Sequence, residues 1–252
     1  MTEADGVAAY RREYALSPDD LLPAGEDRRT EAEVVAEAAV DYDVDRHGAF
    51  ELRPDECALL VIDMQEGFVR PGPMWVPHAQ RVLPRIARAA KTARELGIPV
   101  LFTAATYLPQ HPNDTKGYCA PVAAGMLAEG SDGVRIAPEL FEDGDYVVRT
   151  KYTYNAFFGT ELDARLRGRG VRTVIITGTM TNYCCEATAR AAFDLGYHVA
   201  FADDLCATDS AEAHRATLRT LRRGYARVLT AEQLTDALLH GDSLYRDASL
   251  SR

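Results

Sequence analysis

The segment Cys57-Ala-Leu-Leu-Val-Ile62 is an unbroken apolar run that stops at Asp63. A strand with one face in water alternates apolar and polar side chains. A strand that is apolar throughout has both faces covered, which is the position of a strand inside a parallel sheet flanked by helices. The rest of the chain fits that requirement. Pro77–Leu96 reads as a helix with Val82, Ile86, Ala89, Ala90, Ala93 and Leu96 on one face, stopped by Gly97. Ile98–Ala104 is the next strand. Tyr107–Asp132 is rich in Pro, Gly, Asn and Asp and reads as loop, with a short helix around Ala120–Glu129. Tyr146–Thr150 is a third strand, Thr160–Arg167 a helix and Thr173–Thr177 a fourth strand. A helix from Cys184 to Gly196, a strand over His198–Ala202, a helix over Ala211–Arg223, a strand over Ala226–Leu229 and a helix near Glu232–His240 complete the series. Strand, crossover helix and strand in repetition give a mostly parallel sheet with helices on both faces. No internal repeat and no Gly/Ser linker interrupts the chain after residue 52, so residues 53–252 are expected to form one domain.

Charge divides the chain unevenly. The 252 residues carry a formal charge of −10, but residues 1–52 hold 14 acidic and 5 basic side chains, leaving the body near neutrality. The first 52 residues are therefore expected to be an acidic, solvated N-terminal extension, with a short helix behind the capping-box word Thr30-Glu-Ala-Glu33. No basic face suited to phosphates is visible, which argues against nucleic acid as a partner. Apolar runs are strand-sized where a membrane span needs about 20 residues, and residues 1–20 are acidic where a secretory leader has a basic start and an apolar core. Five cysteines without a CxxC spacing fit reduced thiols and a cytoplasmic location. Six scattered histidines, without HxH or HExxH, give no reason to assign a metal, and no cofactor is expected.

Ligands of open parallel sheets sit beyond the carboxyl ends of the strands. Three of those ends carry chemistry here: Asp63, Lys151, and Cys184 after the turn Gly178-Thr-Met-Thr-Asn-Tyr183. A thiol becomes nucleophilic on losing its proton, and a helix start beside Cys184 would favour the thiolate. Asp63 is placed to take that proton and return it to a leaving amine, and Lys151 to hold Asp63 ionised. Backbone N–H groups of Met180 and Cys184 can receive an oxyanion. Taken singly, each residue has an ordinary role open to it: a loop or cap aspartate, a lysine reaching solvent, a small buried cysteine.

The words around them are more specific. Val61-Ile-Asp63-Met-Gln-Glu-Gly-Phe68, Lys151-Tyr-Thr-Tyr-Asn-Ala-Phe-Phe-Gly-Thr160 and Thr177-Gly-Thr-Met-Thr-Asn-Tyr-Cys184-Cys-Glu-Ala-Thr-Ala-Arg190 occur in that order. Over residues 55–240 the sequence resembles the isochorismatase-like cysteine hydrolases, the superfamily of nicotinamidases, N-carbamoylsarcosine amidohydrolases and ureidoacrylate hydrolases. The resemblance implies a three-layer αβα sandwich with a Rossmann-like sheet and an Asp63–Lys151–Cys184 triad. It also implies a cis peptide joining Thr179 and Met180, and a homodimer or homotetramer. Members named for isochorismatase activity commonly lack the cysteine, so Cys184 favours C–N hydrolysis. The resemblance therefore implies a metal-independent cysteine amidohydrolase acting through a thioester. Nicotinamidases resemble one another in an Asp-x-His metal word that Thr106–Asp114 lacks, and His111 there reads as a loop histidine.

The substrate class that the resemblance implies is a small amide, ureido or carbamoyl compound. Gln65, Phe68, Trp75, Tyr107, Asn155, Phe157 and Tyr183, with Tyr154 beside them, are the candidate pocket residues, though aromatics at such positions also serve as core. Arg70 and Arg149 are the candidate partners for a substrate carboxylate. Two other readings stay open: a vinyl-ether hydrolase that does not need Cys184, and a non-enzymatic thiol sensor using Cys184 and Cys185.

Overall fold

The computed structural model describes residues 50–107 and 125–241. The expected helix behind Thr30, the loop histidine His111 and Cys119 lie outside these residues.

The apolar run forms β1 (Cys57–Ile62), buried at every position. It leads through the short helix α1 (Glu66–Val69) into the long helix α2 (Pro77–Glu95), with Pro77 in its first turn. Then come β2 (Val100–Ala105), β3 (Tyr146–Lys151), α3 (Leu162–Gly168) and β4 (Thr173–Thr179). A single π-helical turn over Thr181–Cys185 runs directly into α4 (Glu186–Asp194). The chain continues through β5 (His198–Ala207), α5 (Ala211–Gly224), β6 (Arg227–Leu229) and α6 (Ala231–His240). Ser210 caps α5, and Thr230 with Gln233 forms a capping box on α6. The strands build one six-stranded sheet in the order β3-β2-β1-β4-β5-β6, with every pairing parallel.

Alternation along β1 explains why an all-apolar strand was needed. Cys57, Leu59 and Val61 enter one core cluster with Leu83, Ile86, Ala90 and Leu234, from α2 and α6. Ala58, Leu60 and Ile62 enter the other, with Leu162, Leu166, Ala189 and Leu221, from α3, α4 and α5. The two clusters are the two interfaces of a three-layer sandwich. Phe50 and Leu52, expected in the N-terminal extension, belong to the first cluster. Phe50 stacks on His198 at 4.7 Å, and its carbonyl accepts from Arg227 at 3.3 Å.

Four elements depart from the sequence expectation. The fourth strand runs on to Thr179. The fifth runs five residues further than expected, to Ala207, because Asp203 and Asp204, which break its apolar pattern, find partners at its edge. Asp203 meets His214 at 3.0 Å, and Asp204 accepts from the Ala231 N–H at 2.6 Å. Residues 125–129, the described part of the expected loop helix, form a turn and a bridge between Tyr107 and Ala128. The expected helix start at Cys184 falls instead at Glu186, after the π turn.

Strand order reverses between β1 and β4, and there the two backbones come unusually close. Ile62 pairs with Gly178. Gly178 has φ +119, and a Cβ on it would lie 2.1 Å from the Ile62 carbonyl oxygen. Both the conformation and the space demand glycine. Gly178→Ala is expected to lower the unfolding free energy by more than about 3 kcal/mol, a size reserved for steric and backbone conflicts of this kind. Chemical denaturation measures it, and a loss under about 1 kcal/mol would show that the β1–β4 contact yields.

Candidate active site

The reversal of strand order opens a crevice at the carboxyl ends of β1 and β4, the usual ligand position of such sheets. Asp63 sits at its floor. The residue has φ 46, a left-handed conformation that aspartate tolerates better than most side chains. Thr103, a polar residue in the otherwise apolar β2, holds it from two sides. The Thr103 hydroxyl accepts from the Asp63 N–H at 3.1 Å and donates to Asp63 Oδ1 at 2.5 Å.

Lys151, the last residue of β3, points inward and is completely buried, as is Asp63. Its Nζ donates to Asp63 Oδ2 at 2.6 Å and to Cys184 Sγ at 3.4 Å. Residues 88 and 33 positions apart in the chain thus meet around one ammonium group. Burial by itself would drive the lysine toward its neutral form. The Asp63 carboxylate, with the Cys184 sulfur, overrides burial and holds Lys151 above its ordinary value.

Cys184 is 7% exposed, within the turn Thr181–Cys185. Its thiol is pushed up to about 12, first by burial and then by the Asp63 charge, against which Lys151 pulls down. Cys184 lies in the π turn that leads straight into α4, and loss of water around the sulfur together with the carboxylate outweighs the pull of the ammonium. The peptide joining Thr179 and Met180 is cis, and the Met180 carbonyl accepts from the Tyr183 and Cys185 N–H groups at 3.1 and 3.2 Å. Cys185 is buried against the Thr177 carbonyl and faces Cys206.

The candidate pocket residues separate into groups. Gln65 is fully buried, and its amide is engaged by backbone: it donates to the Ala105 and Gly133 carbonyls at 3.0 and 3.4 Å and accepts from the Ala105 N–H at 2.9 Å. Phe157 is in the core, stacked on Tyr197 at 5.7 Å, and Phe68 is buried in the other core cluster. Gln65 thereby straps the end of β1 to β2, and the two rings pack among core residues. Asn155 turns its Oδ1 back onto the Phe157 N–H at 2.8 Å. Tyr154 and Tyr183, on the loops after β3 and β4, are exposed and lie 5.4 Å apart, ring to ring. Trp75 Nε1 and the Tyr107 hydroxyl are buried with no hydrogen-bond partner among the described residues. Of the two arginines considered for a carboxylate, Arg70 is held by Glu66 and Glu139, and Arg149 is exposed on β3. Thr103 was not anticipated as part of the site. A lone hydroxyl inside an apolar strand was the available signal.

Comparison with known proteins places this geometry. The Isochorismatase domain family model matches residues 57–233. Nicotinamidase 3 of Arabidopsis thaliana is 34% identical over 193 residues, covering 72% of this chain and 88% of that protein. The ureidoacrylate amidohydrolase RutB of Acinetobacter baylyi is 28% identical over 222 residues, covering 79% and 91%. The crystal structure of a cysteine hydrolase from Pseudomonas syringae pv. phaseolicola 1448A superposes with a TM-score of 0.71 at 25% identity, covering 76% of this chain and 96% of that one.

Two measurements test the electrostatics of the crevice. Lys151→Met leaves a buried carboxylate without its cation and is expected to cost about 3–5 kcal/mol in urea denaturation, part of which Asp63→Asn in the same chain restores. Alkylation of Cys184 by iodoacetamide, followed on the Cys184 peptide, is expected to accelerate with pH up to about pH 10 without a plateau. An ordinary thiol would level off above about 8.5, and levelling there would show the raised pKa to be absent.

Proposed function

The chain belongs to the isochorismatase family of hydrolases, and on that premise we propose that it is a cysteine amidohydrolase acting on a small amide, ureido or carbamoyl compound. The observation that carries this reading is the meeting of Asp63, Lys151 and Cys184 in one buried crevice, with Lys151 Nζ 2.6 Å from the carboxylate and 3.4 Å from the sulfur. A nucleophile, a base within its reach and a third group fixing that base make up the arrangement needed for covalent acyl transfer.

In the first half-reaction the Cys184 thiol proton passes to Asp63 as sulfur bonds to the substrate carbonyl carbon. Because the thiol is pushed up to about 12, the transfer accompanies attack instead of preceding it. The carbonyl oxygen becomes an oxyanion directed to the Met180 and Cys184 N–H groups. As the C–N bond breaks, Asp63 hands its proton to the departing ammonia or amine and a thioester remains. In the second half-reaction Asp63 takes a proton from water, hydroxide adds to the thioester carbon, and the C–S bond breaks. The proton on Asp63 returns to sulfur, and the product leaves as an acid. Lys151 stays charged throughout and holds the Asp63 carboxyl in place between the two halves.

Two features support the substrate class. Tyr154 and Tyr183 supply an aromatic pair beside the nucleophile turn. The relatives named nicotinamidase and ureidoacrylate amidohydrolase point to the same bond type. No metal word is present in Thr106–Asp114, so the reaction is written without a metal.

The test is ammonia release from a panel of small primary amides and ureido compounds with EDTA present. Wild type is expected to hydrolyse at least one, and Cys184→Ala to fall by more than about 10³-fold in kcat, as when one member of a catalytic unit is removed. Ammonia release retained by Cys184→Ala would overturn the thioester route, and a panel on which wild type releases none would move the weight to the vinyl-ether reading.

A further inference from the structure

The nucleophile turn is held from outside the crevice, by side chains that no step above uses. Thr181, its first residue, is completely buried, and its hydroxyl lies 2.9 Å from His214 Nδ1. The other ring nitrogen of His214 lies 3.0 Å from Asp203 Oδ1. A carboxylate only accepts, so Nε2 carries the hydrogen, and in the neutral ring Nδ1 is the acceptor for the Thr181 hydroxyl. Glu186, the residue just after the turn, accepts from the Thr217 hydroxyl at 2.8 Å. His214 and Thr217 are three positions apart on α5, the spacing that puts two side chains on one helical face. A third bond runs from the Thr208 hydroxyl to Asn182 Oδ1 at 2.6 Å. One face of α5 therefore grips the residues at both ends of the turn that carries Cys184, while Asp203 fixes the ring that makes the first grip.

We infer that His214 is a positioning residue for the nucleophile turn. Through Thr181 it sets where Cys184 Sγ stands relative to Lys151, Asp63 and the Met180 N–H. It touches none of the reacting atoms itself. Near-attack geometry is demanding: a misplacement of about 1 Å can cost about 10²-fold in rate. Releasing Thr181 lets the turn shift, draws Cys184 away from the buried ammonium and admits water to a sulfur that is 7% exposed. Two consequences then run in opposite directions. Turnover falls because the sulfur is misplaced, and the thiol becomes easier to alkylate because it is better solvated.

The discriminating variants copy one ring nitrogen each. Asparagine at 214 places an acceptor where Nδ1 was and loses Asp203. Glutamine reaches Asp203 and loses Thr181. Thr181→Val removes the hydroxyl with its shape kept. For a substrate that wild type hydrolyses, His214→Gln and Thr181→Val are expected to lower kcat by about 10- to 100-fold with KM changed less than about threefold. His214→Asn should stay within about threefold of wild type, and the Thr181→Val/His214→Gln double variant should be no worse than either single one, because both remove the same bond. The kinetic arm rests on the amidohydrolase reading. Iodoacetamide labelling of Cys184 does not, and His214→Gln and Thr181→Val are expected to label several-fold faster than wild type and His214→Asn. Equal kcat and equal labelling for the asparagine and glutamine variants, additive losses in the double variant, or wild-type labelling in Thr181→Val would each overturn the inference. If wild type hydrolyses nothing on the panel, the labelling rates decide alone.

Discussion

The pairing of Lys151 with Asp63 is the contact on which the carboxyl-end face of the sheet depends. Both groups are removed from water, and removing two charges from water costs several kcal/mol each unless good geometry and further hydrogen bonds compensate. The compensation is distributed over neighbouring elements. The Thr103 hydroxyl takes one oxygen of the carboxylate, Lys151 takes the other, and the sulfur of Cys184 takes a second ammonium hydrogen. The strands β1, β2 and β3 and the turn after β4 are thereby tied at one point. The same contact that holds the strand ends together supplies the charge pattern for chemistry.

The crevice has a topological origin. The chain lays β1, β2 and β3 outward in one direction, then returns to lay β4, β5 and β6 in the other. Loops leaving β1 and β4 therefore diverge, and the gap between them is where Asp63 and Cys184 face one another. Gly178 lets β4 approach β1 closely enough for that to happen. On the far side of β4, the extension of β5 through Asp203 to Ala207 brings Thr208, Asp203 and the start of α5 up against the nucleophile turn. The gap is thus lined by chemistry on one side and braced by polar contacts on the other.

Much of this was legible in the sequence, and the exceptions share a cause. Apolar runs located β1, β2, β4 and the start of β5, because burial on both faces leaves a continuous signature. The local words around Asp63, Lys151 and Cys184 marked three positions that the structure brings together. What failed to show was anything that depends on partners far along the chain. Asp203 and Asp204 read as the end of β5 because the residues that satisfy them, His214 and Ala231, are 11 and 27 positions away. Gln65 carries no sign in the sequence of the Ala105 and Gly133 backbone groups that hold its amide, 40 and 68 positions away.

One further consequence lies in the position of β3. Among the described residues it is an edge strand, paired only with β2, yet its last residue is the buried lysine. An edge strand can ordinarily be the last to join a sheet. This one cannot take its final register while the end of β1 is unformed, since that would leave an ammonium dry and without a counter-charge. Nor can the Asp63 carboxylate be sealed from water before β3 arrives. The edge of the sheet and the triad are therefore completed together: the three side chains meet once β3 has taken its place beside β2.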